Sequence, residues 1–369
     1  MVPDQTPEAD NTGKTGLATA LTRYCRQPGQ ARVTPLGQGL INDTYLIEEP
    51  EQTLVLQKIN SQIFPEPERI IDNLALLSRH FATSSLPPGP RWEHCRLVQT
   101  RDGQDFFCDD QGGFWRALQY INRTICHEQV THADQAREVG RALGLFHRLT
   151  ASLDARRLHV TLPGFHVLPQ YLEHYDLLPR MKHDRNRAVI DFCHTVVEAH
   201  RSEANLLEQG RKAGRYLVRC VHGDPKASNV LFDQDSGLAV GLIDLDTIGP
   251  GLTIIDLGDC LRSCCSRIHE DSSQAPEFDL DSCRALLNGY FQEAPFLLTS
   301  VEREALFDAL RLVTFELGLR FFSDHLSDDC YFKVKHRGDN LIRARSQFQL
   351  LTDIESLEQA IRTLIACPQ

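Results

Sequence analysis

The sequence contains no uninterrupted apolar run of 18 residues, so no segment of it reads as a membrane-spanning helix. It also lacks a Lys/Arg-rich run, and 50 acidic against 39 basic residues leave a net charge of -11. That balance disfavours a nucleic-acid binder that depends on a basic footprint. Although there are 12 cysteines, no CxxC pair occurs. Scattered thiols of this kind read as reduced core residues rather than zinc ligands or a disulfide framework, and Cys260, Cys264 and Cys265 read as one buried helix face. Residues 1–14 are acidic and without an apolar centre, which reads as a flexible tail rather than a secretory signal. Internal repeats and low-complexity segments are absent too. The expectation is a soluble cytoplasmic protein, a monomer or weak dimer, with no membrane or nucleic-acid partner.

What remains is an ordinary globular composition: 41% hydrophobic, 24% charged and 8% aromatic residues over a chain of 369. Such a length supports roughly two domains. From residue 31, ARVTPL, TYLIE and TLVLQK predict three short antiparallel strands. From Glu68, the apolar residues Ile70, Ile71, Leu74, Leu77 and Phe81 recur at helical spacing. Two further strands are expected around 96–100 and 114–121.

Beyond Tyr120 the pattern turns helical. Thr131 and Asp134 suggest a cap for a helix through Ala136, Val139, Leu143, Phe146 and Leu149, and Thr299 with Glu302 suggests another through Phe321. Residues 15–120 therefore read as a β-rich N-lobe and 121–369 as a mainly helical C-lobe.

The informative stretch is His222-Gly223-Asp224-Pro225-Lys226-Ala227-Ser228-Asn229, followed by Gly241-Leu242-Ile243-Asp244-Leu245-Asp246. Singly, these are turn-forming residues. Together they make H-x-D-x-x-x-x-N with an Asp closing a hydrophobic strand, the pattern of kinase catalytic and metal loops. Phosphoryl transfer needs one carboxylate to accept a hydroxyl proton and oxygen ligands to hold Mg²⁺ against the triphosphate. Asp224 suits the first role, and Asn229 with Asp244 the second. His222 reads as a brace for the loop and Asp246 as a supporting residue behind the metal, while Asp256 and Asp259 are expected to brace the adjoining segments.

HGDPKASNVLF with GLIDLD resembles the aminoglycoside phosphotransferase and choline kinase family over about residues 30–355. Within it, the segments GLINDTY from Gly39, LQKIN from Leu56, RFFSDHL from Arg320, YFK from Tyr331 and NLIRAR from Asn340 are similar to the N-acetylhexosamine 1-kinase branch. The resemblance implies an α+β, two-lobed protein-kinase-like fold, ATP and Mg²⁺ as cofactors, and transfer to the anomeric hydroxyl of an N-acetylhexosamine. It further implies that Arg320 and Tyr331 contact the sugar beside Asp224. Choline, homoserine and aminoglycoside kinases share the same two motifs, so these acceptors stay as alternatives, as does a pseudokinase that binds nucleotide without turnover.

For the nucleotide, Gly37, Gly39, Asn42 and Thr44 are expected in the first hairpin, and the chain at Gln119, Tyr120 and Ile121 is expected along the adenine. The third strand offers Gln57 or Lys58, of which alternation lets only one face inward. Lys58 is the candidate phosphate ligand, with Glu66 or Glu68 as a possible partner. Phe165-His166 reads as a packed loop or the edge of the sugar pocket. For Arg320 the plain alternative is an ion pair with Glu316 or Asp324.

Overall fold

A computed structural model describes residues 11–37, 41–84, 89, 91–179, 186–268 and 274–367. The described chain divides into two units. The smaller holds the described residues up to Ala75 together with Cys95–Asn122, and the larger holds Leu76–His94 and the described chain from Arg123 onward. Within the larger unit, Glu93 donates its N–H to the Val240 carbonyl at 2.7 Å.

The smaller unit is an antiparallel sheet of β1 (Arg32–Pro35), β2 (Asp43–Glu48), β3 (Thr53–Ile59), β4 (Leu97–Val98), β5 (Phe107–Cys108) and β6 (Phe114–Gln119). The order is β1-β2-β3-β6-β4, with β5 also on β6. Helix α1 (Asn11–Tyr24) takes in residues 11–14 of the expected tail. Its Ala20 and Tyr24, with Cys25 just beyond it, pack on Ile47, Leu54, Leu56, Trp115 and Ala117. Leu17, Ala20, Leu21 and Tyr24 do recur at helical spacing, but a helix of this length is marginal until such a sheet covers it. Helix α2 (Glu68–Thr83) buries Ile70, Ile71, Leu74, Leu77 and Phe81, the predicted stripe.

In the larger unit, β7 (Thr124–Ile125), β9 (Val230–Asp233) and β10 (Ala239–Leu242) form one small sheet, and β8 (Val218–Val221) pairs with β11 (Gly249–Leu252). The helices are α3 (Ala133–Thr150), α4 (Leu168–Asp176), α5 (Arg187–His200), α6 (Leu206–Lys212), α7 (Thr253–Cys264), α8 (Leu280–Glu293), α9 (Ser300–Glu304), α10 (Leu306–Leu326), α11 (Asp339–Ser356) and α12 (Glu358–Ala366). Helices α3 and α8 run in close contact through glycine: a Cβ on Gly140 would strike the Leu286 carbonyl, and one on Gly289 the Arg137 carbonyl. Helix α10 is buried on nearly every side: Leu310, Phe315, Leu319 and Phe322 are fully buried, and charged residues such as Glu316 and Asp324 are buried with them.

Two caps differ from expectation. The α3 cap is His132, while Thr131 bonds the Gln135 side chain rather than pairing with Asp134. Thr299 and Glu302 do form a reciprocal capping box, but on the short α9, which ends before α10 begins. Glu302 carries a second task beside the box, an ion pair with Arg219 at 2.7 Å. All 12 cysteines are free thiols, and Cys260, Cys264 and Cys265 are buried. Among the described residues no helix is long and apolar enough to cross a membrane.

Candidate active site

The catalytic-loop motif begins where β8 ends. His222 is fully buried, and its Nε2–H donates to the Ile243 carbonyl at 3.0 Å while its Nδ1 accepts the Asp224 N–H at 3.3 Å. One nitrogen donates and the other accepts, so the ring is neutral, and burial pushes its pKa down in the same direction. His222 thus braces the loop, as its sequence context suggests, and joins it to the residue before Asp244.

Beneath the loop lies Asp256, in the first turn of α7. It accepts the N–H groups of His222 and Gly223, each at 2.7 Å, and the Nε2–H of His147 at 2.9 Å. Burial alone would raise its pKa, but the bond from His147 and the neighbouring donors hold the carboxyl below its ordinary value. Gly223 occupies the left-handed region at φ 90°, where a Cβ would meet Thr247 at 2.8 Å, so the turn into Asp224 requires glycine.

Asp224 is half-buried and forms an ion pair with Lys226 at 2.7 Å. Burial opposes ionisation, yet the Lys226 ammonium outweighs it and holds the carboxyl down to about 2. Lys226 is the partner that motif spacing does not reveal; its only signal is its place two residues after Asp224. Asn229 donates its amide N–H to the Asp224 carbonyl oxygen at 2.8 Å and to Oδ2 at 3.3 Å.

The antiparallel pairing of β9 and β10 sets Leu242 opposite Val230, and the Ile243 N–H donates to the Asn229 carbonyl at 2.9 Å. Asp244 follows directly, exposed and left-handed at φ 61°, a conformation that costs a non-glycine residue about 1–3 kcal/mol. Register therefore brings Asp224, Asn229 and Asp244 to one end of this sheet. Asp246 is buried behind them, with its carbonyl taking the Thr161 hydroxyl at 2.6 Å.

These donors fit Mg²⁺. Asn229 spends its amide hydrogens on Asp224, which leaves Oδ1 as its ligating atom, and Asp244 adds a second hard oxygen. Among the described residues no group of three His, Cys, Asp or Glu side chains is arranged to hold an ion.

A second cluster adjoins the loop. His166 donates from Nε2 to the Gly223 carbonyl at 3.0 Å and from Nδ1 to Glu316 on α10 at 3.0 Å. Its neighbour Phe165 is one of four rings around the guanidinium of Arg320, with centroids at 5.1 Å (Phe165), 5.3 Å (Tyr171), 5.4 Å (Phe332) and 5.8 Å (Tyr331). The plain alternative for Arg320 is set aside: Glu316 serves His166, and Asp324 accepts the N–H groups of Tyr331 and Phe332.

In the smaller unit, strand alternation decides between Gln57 and Lys58. Lys58 lies on the α1 side, its ammonium 5.9 Å from the Trp115 ring. Gln57 faces the other way: it donates to the Thr44 hydroxyl at 3.1 Å and accepts from Arg116 at 2.8 and 3.0 Å. The residue that shares a face with Thr44 is thus Gln57, and Lys58 lies on the opposite face. Glu66 pairs with Arg69 at 2.8 Å. In the first hairpin, Gly37 is left-handed at φ 74°, and Asn42 accepts the Asn60 N–H at 3.0 Å, tying the hairpin to the end of β3. Gly39 lies outside the described residues. Strand β6 ends at Gln119, and Tyr120 and Ile121 follow it.

An antiparallel sheet unit, a helical unit and an H-x-D-x-x-x-x-N loop beside an Asp-bearing turn define a kinase-like fold. The chain matches the phosphotransferase enzyme family (APH) over residues 32–296 and belongs to that family. Solved structures agree on the fold. A microcompartment-associated aminopropanol kinase superposes with a TM-score of 0.65 at 17% identity, covering 95% of this chain and 98% of that one. Choline kinase from Cryptosporidium parvum Iowa II gives 0.61 at 11% identity, covering 95% and 97%. Spectinomycin phosphotransferase, in complex with ADP and spectinomycin, gives 0.52 at 11% identity, covering 89% and 93%.

Proposed function

We propose that this phosphotransferase moves the γ-phosphoryl group of ATP directly to a hydroxyl of a neutral sugar, the anomeric hydroxyl of an N-acetylhexosamine. The observation that carries the acceptor class is Arg320. Its guanidinium lies within about 6 Å of four aromatic ring centroids, and it belongs to a wall joined through Phe165 and His166 to the residue before Asp224. The forked N–H donors of a guanidinium suit ring hydroxyls and an acetamido carbonyl, and exposed Tyr331, which bonds Arg320, offers a ring face beside it.

In this mechanism Asp224 orients the acceptor hydroxyl and accepts its proton, being ionised at any physiological pH. Lys226 keeps that carboxylate charged. Asn229 and Asp244 hold Mg²⁺, which when bound neutralises charge on the triphosphate. Thr44 and Gln57 supply the polar face of the sheet for the nucleotide, with Gln119, Tyr120 and Ile121 along the base. The neighbour solved with ADP supports a nucleotide cofactor for this fold. No residue of the chain becomes phosphorylated along the way.

The test is ³¹P NMR of the protein with Mg-ATP and, separately, N-acetylglucosamine, N-acetylgalactosamine, choline, homoserine and kanamycin. A sugar 1-phosphate resonance is expected, falling at least ~10²-fold in Asp224→Ala while nucleotide binding persists. Asp244→Asn is expected to weaken Mg-nucleotide binding instead. Phosphate on an amine acceptor in place of the sugar overturns the acceptor assignment.

A further inference from the structure

Aromatic boxes are the usual receptors for ammonium ions, whose charge is attracted to ring faces within about 6 Å of the centroid. The four rings of Phe165, Tyr171, Tyr331 and Phe332 all meet that distance, but the cation among them is the chain's own Arg320. Among the described residues no carboxylate forms an ion pair with it. The acids one turn away on α10 are engaged, Glu316 by His166 and Asp324 by two backbone N–H groups and Asn340.

The rings have anchors besides the guanidinium, although the Tyr331 hydroxyl also bonds it. Phe165 precedes His166, which is anchored at both nitrogens. Tyr331 and Phe332 hang from the Asp324 carboxylate at 2.8 and 2.9 Å, and Phe332 also packs on Phe321 with centroids 4.6 Å apart. Tyr171 is fixed on α4. The backbone that carries these rings is therefore anchored by contacts other than Arg320.

We propose that Arg320 is a resident cation that closes an ammonium-binding box, and so acts as the specificity residue that excludes acceptors bearing a quaternary or primary ammonium group. The inference builds on the acceptor site proposed above. It predicts that the box, once vacated, takes up a quaternary ammonium.

The experiment is calorimetric titration of tetramethylammonium, choline and 3,3-dimethyl-1-butanol, the uncharged analogue of choline, into wild type, Arg320→Ala and Arg320→Met. The alanine variant is expected to bind both cations at least ~10-fold more tightly than wild type and than it binds the neutral alcohol. The methionine variant, its box filled by an uncharged chain, is expected to resemble wild type. Thermal unfolding establishes that each variant is folded, and Arg320→Ser replaces the alanine variant if that one is not. A folded variant with a vacated side chain that gains no cation affinity overturns the proposal, as does wild type that binds choline as tightly. The readout is binding without turnover. If wild type phosphorylates no sugar but the vacated variant gains cation affinity, the sugar assignment fails and the box stands.

Discussion

His166 donates from Nε2 to the carbonyl of Gly223 at 3.0 Å, which fastens the wall around Arg320 to the residue preceding Asp224. Both ring nitrogens donate, so the bridge requires the imidazolium. Burial works against that charge, but Glu316, with help from Asp259 and the Gly223 carbonyl, raises the pKa from 6.5 to about 9. A raised folded-state pKa contributes stability that is complete below 6.5 and lost as pH rises through about 9. Wild-type turnover and Tm are expected to fall across that alkaline range. His166→Asn, which cannot titrate there, is expected to lack the alkaline limb and to show lowered kcat with an unchanged KM for Mg-ATP. Steady-state kinetics against pH checks both.

Lys226 and Asp224 make the opposite case. The ammonium is the strongest of the groups that hold the carboxyl down, so the Asp224 pKa is expected to climb from about 2 in Lys226→Ala, with Arg262 still opposing burial. The acid limb of kcat/KM, out of reach in wild type, then moves into the measurable range. A pH profile of the variant with the same acid limb as wild type contradicts the pairing.

Asp256 holds two buried backbone N–H groups. Asp256→Ala strands both donors and the His147 N–H, for a destabilisation of about 3–5 kcal/mol. A Tm lower by roughly 10 °C is expected for a unit of this size. Because the Asp256 pKa is depressed, its contribution is present above the unfolded value and lost as pH falls. The gap in Tm between wild type and variant is therefore expected to narrow in acid.

Gln57 accepts twice from buried Arg116. Gln57→Leu keeps the volume and removes the acceptor, at a cost of about 1–3 kcal/mol. It is expected to raise the KM for ATP as well, since Thr44 loses its partner on the same face. Lys58→Met, on the α1 side, is expected to leave that KM within about 2-fold. Comparing the two values of KM tests which face of the sheet meets the nucleotide.

Much of the fold was legible because the signals are local. Alternation marked β1, β2 and β3, the 3.6-residue period marked α2, α3 and α10, and turn chemistry with fixed spacing marked Asp224, Asn229 and Asp244. Helix α1 was missed because its amphipathic stretch follows an acidic segment and forms only against the sheet.

What only tertiary structure decided concerns partners distant in sequence. Which of Gln57 and Lys58 faces Thr44 depends on register and on which face α1 covers, neither of which spacing encodes. Asp256 reaches His222 from 34 residues away, and Glu316 reaches His166 across 150. The sequence alone determined the chemistry available, because residue types and short spacings set which atoms can accept a proton or ligate Mg²⁺. The packing of α4 and α10 decided that Arg320 is enclosed by rings rather than paired with an acid, since a side chain's environment comes from elements the chain brings together only on folding.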